Sequence, residues 1–438
     1  MKKIGFPVFA SFLLAAHFSR IQNDWLAVAC LLSPLILLVR KRWALMIYQT
    51  YLAIGGIIWA ARMVELVRMR QSEGEPWLRL ALILTAVALF TFLSALVFQN
   101  KKIKSRYRLE ELEEEHLPSW PSYASFLLTA VLLSVVHFKV SPPVLLLERF
   151  LPGAGPVEIA ILAIYTAWIT EIMLHIKRSS KTRTLIWSFF SGVFFAQFIL
   201  GLSGFSKFLM TGKWHLPIPA MIIAGPVFRG SGFFMLILFF STTIIIGSAW
   251  CSHLCYIGAW DNLISKQRNR SKILPPWINI LRAGILLSVV LAALVFRLSG
   301  MPSATATLIA ILYGIAGVGI MVFISRINGV MTHCTVYCPI GLVANLIGKI
   351  NPLRIRFTDA CDECGACRSL CRYNALNAVH IQRRKPGITC TLCGDCLAGC
   401  PKDALRYKLF DLSARNARIA FIVIAVSLHA IFLGVARL

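Results

Sequence analysis

Long apolar runs separated by short polar loops occupy most of the 438-residue sequence. A membrane-spanning helix needs about 20 mostly apolar residues, because each residue advances the helix by about 1.5 Å. The runs that approach this length predict eleven spans: 5–21, 24–40, 43–65, 77–98, 122–139, 156–176, 184–204, 231–250, 277–297, 304–325 and 417–436. The first run is interpreted as an uncleaved helix rather than a signal peptide, since no clear small-residue cleavage site follows it.

Basic residues gather in loops that would share one face of the membrane. The densest basic segments are 40–42, 101–108, 177–183 and 266–272. Cytoplasmic loops carry an excess of Lys and Arg, so this face is predicted to be cytoplasmic. The amino terminus and the segment 353–410 then lie in the cytoplasm, and the last helix ends outside.

Composition agrees with a membrane protein. The chain is 58% hydrophobic and 15% charged, whereas about a quarter of the residues in a soluble domain are charged. The net charge of +26 could suggest a nucleic-acid partner, but that function needs a basic groove or base contacts. The charge is instead interpreted as an orientation signal, and no nucleic acid is expected as a partner.

Two cysteine runs near the carboxyl end carry the clearest chemical signal. Each reads C-x2-C-x2-C-x3-C, the bacterial ferredoxin pattern, in which the fourth cysteine binds the cluster of the other run. This predicts one [4Fe–4S] cluster on Cys361, Cys364, Cys367 and Cys400. It predicts a second on Cys371, Cys390, Cys393 and Cys396. Structural zinc is disfavoured, because zinc sites pair their C-x2-C units across a longer gap.

Two features inside these runs carry further expectations. Gly365 and Gly394 lie where the backbone crowds the sulfur atoms, which favours glycine with a positive φ. Arg372 follows Cys371 where ferredoxins usually have proline. Charge near a cluster tunes its potential, so the two clusters are expected to differ in potential.

A second pair of cysteine motifs is duplicated upstream. Residues 251–266 (CSHLCYIGAWDNLISK) and 334–349 (CTVYCPIGLVANLIGK) align at an offset of 83 without a gap. Both copies run in the same sense, which indicates a pseudo-two-fold axis along the membrane normal. Gly258 and Gly341 are expected to allow close backbone approach. The paired cysteines are Cys251, Cys255, Cys334 and Cys338.

Four thiols on one side of the membrane predict a metal or an additional iron–sulfur centre. Buried cysteines that only pack between helices, and a redox-active dithiol, remain alternatives. Whether all four close on one centre is open from the sequence.

Candidate quinol ligands are the polar residues inside or beside spans, since ionisable groups are costly there. They are Glu158, Glu171, Gln197 and His215. Each also has a plain structural interpretation, such as a water-exposed span end or a local ion pair. A haem is disfavoured, because no repeated histidine spacing links two spans.

The predicted fold class is an all-α polytopic membrane protein of about eleven helices with an inserted, small α+β ferredoxin domain of the bacterial 2[4Fe–4S] type. The predicted parts are a four-helix membrane module, a linker, a two-helix segment, the duplicated core, the ferredoxin-like domain and a final helix, with the bounds 1–108, 109–121, 122–183, 184–350, 351–412 and 413–438.

These motifs together resemble the polytopic iron–sulfur membrane proteins of the NapH/NosR type over about residues 184–410. The shared features are paired spans, two C-x3-C-P motifs and a tandem [4Fe–4S] stretch, although Cys255 is followed by Tyr256 where that family has proline. The resemblance implies a quinol-dehydrogenase subunit of the bacterial inner (plasma) membrane, thus part of an oxidoreductase, with an iron–sulfur or haem partner subunit. It leaves two alternatives, a metal-reducing assembly factor and a redox-sensing regulator, and does not fix the direction of electron flow.

Overall fold

The computed structural model describes residues 5–39, 41–99, 119–141, 143–209 and 216–435. The chain divides into two compact units, Met1–Ala167 and Trp168–Leu438. The predicted linker at 109–121 falls almost wholly outside the described residues.

Apolar helices make up the first unit. Its helices are α1 (Gly5–Arg20), α2 (Asp24–Leu32), α3 (Arg42–Ser72), α4 (Leu78–Ser94), α5 (Trp120–Lys139), α6 (Leu146–Phe150) and the first part of α7 (Gly155–Leu174). A buried polar contact joins α1 to α3: Tyr48 Oη lies 2.8 Å from Ser11 Oγ and donates to the carbonyl of Pro7 at 3.0 Å. These bonds satisfy hydroxyls that would be costly to leave unpaired in an apolar interior.

The second unit carries the cysteine motifs. Its helices are α8 (Ile176–Leu202), α9 (Met221–Arg229), α10 (Phe234–Ile246), α11 (Trp250–His253), α12 (Tyr256–Ser265), α13 (Ile278–Leu298), α14 (Ser303–Gly319), α15 (Arg326–Asn328), α16 (Pro339–Ile347), α17 (Ala366–Leu370), α18 (Ala378–Gln382), α19 (Asp395–Ala398) and α20 (Ala414–Val435). Helix α9 lies between the predicted spans 184–204 and 231–250, where the hydropathy pattern predicted no span.

Nine helices in the described part of the chain are long and apolar enough to cross a membrane. They are Arg42–Ser72, Leu78–Phe98, Trp120–Lys139, Gly155–Leu174, Ile176–Leu202, Phe234–His253, Ile278–Leu298, Ser303–Asn328 and Ala414–Val435. The polytopic, mostly helical architecture is therefore confirmed, but the count of about eleven spans is not.

The first two apolar runs account for the difference in number. Helix α1 has only 16 residues, and the second run divides into α2 and a 3₁₀ helix at Ser33–Leu38. Pro34 stands at the start of that 3₁₀ helix, where its missing N–H cannot continue the α-helical ladder. An apolar run of sufficient length is thus broken into pieces shorter than a span.

The segment that holds the two ferredoxin-type runs is closed by a small antiparallel sheet. Strand β1 (Arg354–Phe357) pairs with β2 (Leu405–Lys408), with Arg354 opposite Lys408. The three short helices α17 to α19 lie between the strands, which gives the small α+β fold expected from the sequence. Tyr407 of β2 stacks on Phe421 of α20 with ring centroids 4.7 Å apart, so the sheet packs on the last apolar helix.

A buried ion pair fastens this α+β segment to the helical core. Arg183 of α8 is 1% exposed and Asp395 is 7% exposed, and their nearest charged atoms are 2.9 Å apart. Arg183 also donates to the carbonyl of Ser252, while Ser180 Oγ donates to Asp395 at 2.8 Å. Although burial alone would raise it, the charges of Arg183 and Lys266 hold the pKa of Asp395 below its ordinary value.

Replacing Arg183 with Met should strongly weaken this attachment. Removing one partner of a buried pair leaves the other charge uncompensated, which typically costs about 3–5 kcal/mol. We expect a lower midpoint of thermal unfolding and faster protease cleavage within residues 351–412 of the detergent-purified protein.

The matched control is Arg384→Met. Arg384 pairs with Asp359 at 2.7 Å, but these side chains are 41% and 107% exposed, and exposed pairs contribute only about 0–1 kcal/mol. Equal cleavage rates for the two variants would show that the Arg183 pair does not anchor the segment.

Candidate functional site: three sets of cysteines

The two ferredoxin-type runs share one backbone conformation at an offset of 29 residues. Gly365 and Gly394 have φ of 74° and 79°, and Glu363 and Leu392 have φ of 59° and 55°. The positive φ expected at both glycines is confirmed. The matching angles show that each run folds into the same cysteine-bearing turn, as an internal repeat should.

The first set of cysteines lines one cavity. Cys361, Cys364 and Cys367 of the first run face Cys400 of the second run around an empty volume of about 290 Å³. The charge of Cys367 interacts with those of the other three thiols. The structure thus brings together the four residues predicted for the first cluster, three from the first run and the fourth from the second run.

The second set has the reciprocal arrangement. Cys390, Cys393 and Cys396 meet Cys371 of the first run around about 340 Å³ of empty space. The thiol of Cys396 interacts electrostatically with the other three. Each run therefore contributes three cysteines to one cavity and one to the other.

Backbone donors point at sulfur in both sets. The N–H of Ala375 donates to Cys371 Sγ at 3.2 Å, and the N–H of Ala404 donates to Cys400 Sγ at 3.3 Å. These bonds occupy equivalent positions of the repeat. Hydrogen bonds to the sulfurs are among the factors that set the potential of an iron–sulfur cluster.

The cavities fit iron–sulfur clusters in the chemistry of their donors. Burial, then the neighbouring thiols, raises the pKa of Cys367 to about 11, and burial raises that of Cys390 to about 12. Cysteine ligands must be deprotonated, and metal binding releases the protons of such thiols. Within the described residues, no three His, Cys, Asp or Glu side chains converge on a position for a single metal ion.

The duplicated C-x3-C motifs also fold alike. Cys255 has φ and ψ of −78° and 114°, and Cys338 has −76° and 116°, and a helix begins directly after each. A side chain at Gly258 would approach the carbonyl of Cys251 to 2.9 Å, and one at Gly341 would collide with the carbonyl of Cys334. Both glycines therefore permit the close approach inferred from the sequence.

The two copies meet at their cysteines. The charge of Cys251 interacts with those of Cys255 and Cys338, and the charge of Cys334 interacts with those of the other three. Asp261 joins the copies directly, since its Oδ2 accepts the N–H of Cys334 at 3.0 Å. The four thiols thus form a third set.

Tyr373 lies between the third set and the second. Its buried ring belongs to a cluster with Trp187, Phe190, Ala259 and Met331, against which Cys334, Cys371 and Cys393 pack. Its charge interactions include Cys334, Cys393 and Cys251. The cluster around Tyr373 therefore contacts cysteines of both sets.

The departure from the ferredoxin pattern at Arg372 has a structural explanation. This buried side chain donates to the carbonyls of Gly329 at 2.9 Å and Ser265 at 3.3 Å, and Met331 N–H donates to its carbonyl at 2.8 Å. A proline could make none of the side-chain bonds. Arg372 thus ties the α+β segment to the loops beside both C-x3-C copies, and its effect on potential stays a prediction.

The structure gives local surroundings for three of the four quinol candidates. Glu158 Oε2 accepts the N–H of Leu147 at 2.7 Å, which is a structural role at the start of α7. Glu171 is half-buried, and Gln197 is 8% exposed with no hydrogen-bond partner for its Oε1 among the described residues. His215 lies outside the described residues.

Sequence reasoning missed several residues that shape the three sets. The sequence places Arg183 in a basic segment, and no pattern in it marks Asp261 or Tyr373. Arg282 offered a usable signal, because it is an ionisable residue inside the predicted span 277–297, a position that marks functional candidates.

The comparisons with known proteins fall on the same region. A model of the 4Fe-4S binding domain family matches residues 228–275 and 310–357, one match for each C-x3-C copy. The chain is 25% identical over 279 residues to the Escherichia coli (strain K12) protein named "Putative electron transport protein YccM", covering 54% of this chain and 72% of that protein. No solved structure matches the chain.

Substituting Gly341 with Ala should disrupt the third set. The added methyl group would collide with the carbonyl of Cys334, and overpacking of this kind costs about 1–3 kcal/mol. We expect a lower unfolding midpoint and a loss of any iron held at Cys334 and Cys338, measured by metal analysis and visible absorbance.

Gly284→Ala is the control, because a side chain at Gly284 of α13 meets no atom within 4 Å. It should leave stability and iron content unchanged. A Gly341 variant that retained both properties would contradict the need for a close backbone approach.

Proposed function

We propose that the protein is a membrane iron–sulfur electron-transfer protein that relays electrons between membrane quinol and a partner redox protein. The observation that carries the proposal is the succession of three cysteine sets, with Tyr373 between the third and the second. The 4Fe-4S family match and the name of the similar E. coli protein support the electron-transfer class.

The residues that would hold clusters follow from the two cavities and, for the third set, from the paired C-x3-C motifs. Cys361, Cys364, Cys367 and Cys400 would hold one [4Fe–4S] cluster, and Cys371, Cys390, Cys393 and Cys396 another. Cys251, Cys255, Cys334 and Cys338 would hold a third iron–sulfur or metal centre. Such groups supply one-electron carriers whose potentials depend on charge, hydrogen bonds and exposure.

The protein side chains fix the order of the sets. Ser248 Oγ donates to the carbonyl of Cys390 at 2.6 Å and Ser252 Oγ to that of Thr391 at 2.9 Å, so the second set is held against the first C-x3-C copy. The first set is more open to solvent, since Cys364 is exposed. A partner would therefore exchange electrons with the first set. The second set would carry electrons between the first set and the membrane core.

The quinol end of the relay rests on the resemblance to the NapH/NosR type and on the apolar helices. The proposed location is the bacterial inner membrane with the α+β segment on the cytoplasmic face. The two short N-terminal helices are not counted as spans. Because two crossings would return the chain to the same side of the membrane, leaving out this pair does not change the predicted orientation of the later helices. Gln197, buried and unsatisfied at Oε1, is the strongest remaining quinol candidate.

Iron and labile sulfide analysis tests the cluster assignment. About eight iron atoms are expected for two [4Fe–4S] clusters, with additional iron if the third set binds an iron–sulfur centre. Cys251→Ser should then remove only the additional iron, whereas Cys396→Ser should lower the content by about four.

Cys30→Ser is the control, since Cys30 is buried in the first unit and belongs to none of the three sets. It should keep the full iron content. Colourless protein after anaerobic purification would contradict the proposed function.

Anaerobic titration separates quinol chemistry from metal reduction. We expect a quinol analogue to bleach the visible absorbance of the oxidised protein, because reduction of the clusters weakens it. Oxidation of the dithionite-reduced protein by Cu(II), without any response to quinol, would instead favour the metal-reducing alternative.

A further inference from the structure

A buried arginine lies beside the third set of cysteines. Arg282 stands in the second turn of α13, inside an otherwise apolar helix, and is 2% exposed. Its Nη2 has no hydrogen-bond partner among the described residues. A guanidinium group stays charged in proteins, so its position needs a compensating negative charge.

The packing of α13 places Arg282 where the two C-x3-C copies meet. Helix α13 packs against the second copy, at His333–Tyr337 and at α16. The charge of Arg282 interacts with Cys251, the first cysteine of one copy, and with Cys338, the second cysteine of the other. The same side chain therefore faces both halves of the third set.

The charge of the third set depends on its chemical state. Four neutral thiols, or two disulfides, offer a guanidinium no counter-charge. Four thiolates that bind a divalent ion or an iron–sulfur cluster keep a net negative charge, because their charges exceed that of the bound cation or cluster core. Asp261 adds to this charge, since it interacts with Cys255, Cys334 and Cys338.

We infer that Arg282 is the charge-compensating residue of an anionic iron–sulfur centre at Cys251, Cys255, Cys334 and Cys338, and that it raises the reduction potential of that centre. The inference rests on the proposed function. It adds a residue outside the cysteine motifs that positions charge against the centre without binding it.

The direction of the effect follows from electrostatics. One-electron reduction breaks no bond and adds one negative charge at the centre, with the electron supplied by quinol in the proposed function and by dithionite in the test. A positive charge nearby stabilises the reduced form more than the oxidised form. Loss of the Arg282 charge should therefore make reduction harder.

The test is a redox titration of the full-length protein in detergent, followed by electron paramagnetic resonance. The signal of the third set is the component that disappears in Cys251→Ser. We expect Arg282→Gln to shift its reduction equilibrium at least tenfold toward the oxidised form, about 59 mV for one electron. The signals of the other two sets should move less.

Two matched variants separate charge from shape. Arg282→Lys keeps the positive charge and should retain most of the wild-type potential. Arg297→Gln removes an exposed arginine from the last turn of the same helix and should leave the potential unchanged. Loss of the centre in Arg282→Gln with retention in Arg282→Lys would also support charge compensation.

Other outcomes overturn the inference. An unchanged potential in Arg282→Gln would show that the arginine does not act on the centre. Loss of the centre in both Arg282 variants would show that side-chain shape is what matters. If wild-type protein and Cys251→Ser have identical spectra and iron contents, the third centre is absent. The inference about Arg282 and the third-centre part of the proposed function then fail together, whereas an unchanged potential in Arg282→Gln overturns the inference alone.

Discussion

The buried contact between Arg183 and Asp395 holds the functional half of the molecule together. One guanidinium group reaches the carbonyl of Ser252, inside the first C-x3-C motif, and the carboxylate that lies between two cysteines of the second set. Such a pair gains little net stability over apolar packing, because desolvation offsets much of the attraction. Its value here is geometric, since it holds the first C-x3-C motif against the second cysteine set.

Duplication explains much of this half, and departures from duplication explain the rest. The C-x3-C copies share backbone angles and glycine contacts, and the ferredoxin-type runs share two pairs of positive φ angles and one pair of hydrogen bonds to sulfur. The residues that differ between the two copies of a repeat are the ones that connect one segment to another. Asp261 has Ala344 at the repeat position, and Arg372 has Pro401. Single differences between the copies therefore make the repeated scaffold asymmetric at its contacts.

Spacing made the cysteine sets predictable, because ligand exchange between tandem runs depends only on local sequence. Hydropathy located nine of the apolar helices for a similar reason, but it could not register the break at Pro34 in the second run. Contacts between residues far apart in the chain could not be predicted from the sequence. Arg183 and Asp261 bond to residues 212 and 73 positions away, and Tyr373 packs in a cluster with Trp187. No period in the sequence reports such neighbours.

The solvent exposure of Cys364 has a consequence for the protein in air. Oxidation of a cysteine depends on access as well as on thiolate character. Cys367 and Cys396 are buried, and Cys364 is the exposed member of the first set. Oxidation by oxygen or peroxide should therefore start at the first set, so in the proposed relay a partly oxidised molecule would lose its solvent-facing step before the less exposed second set is affected.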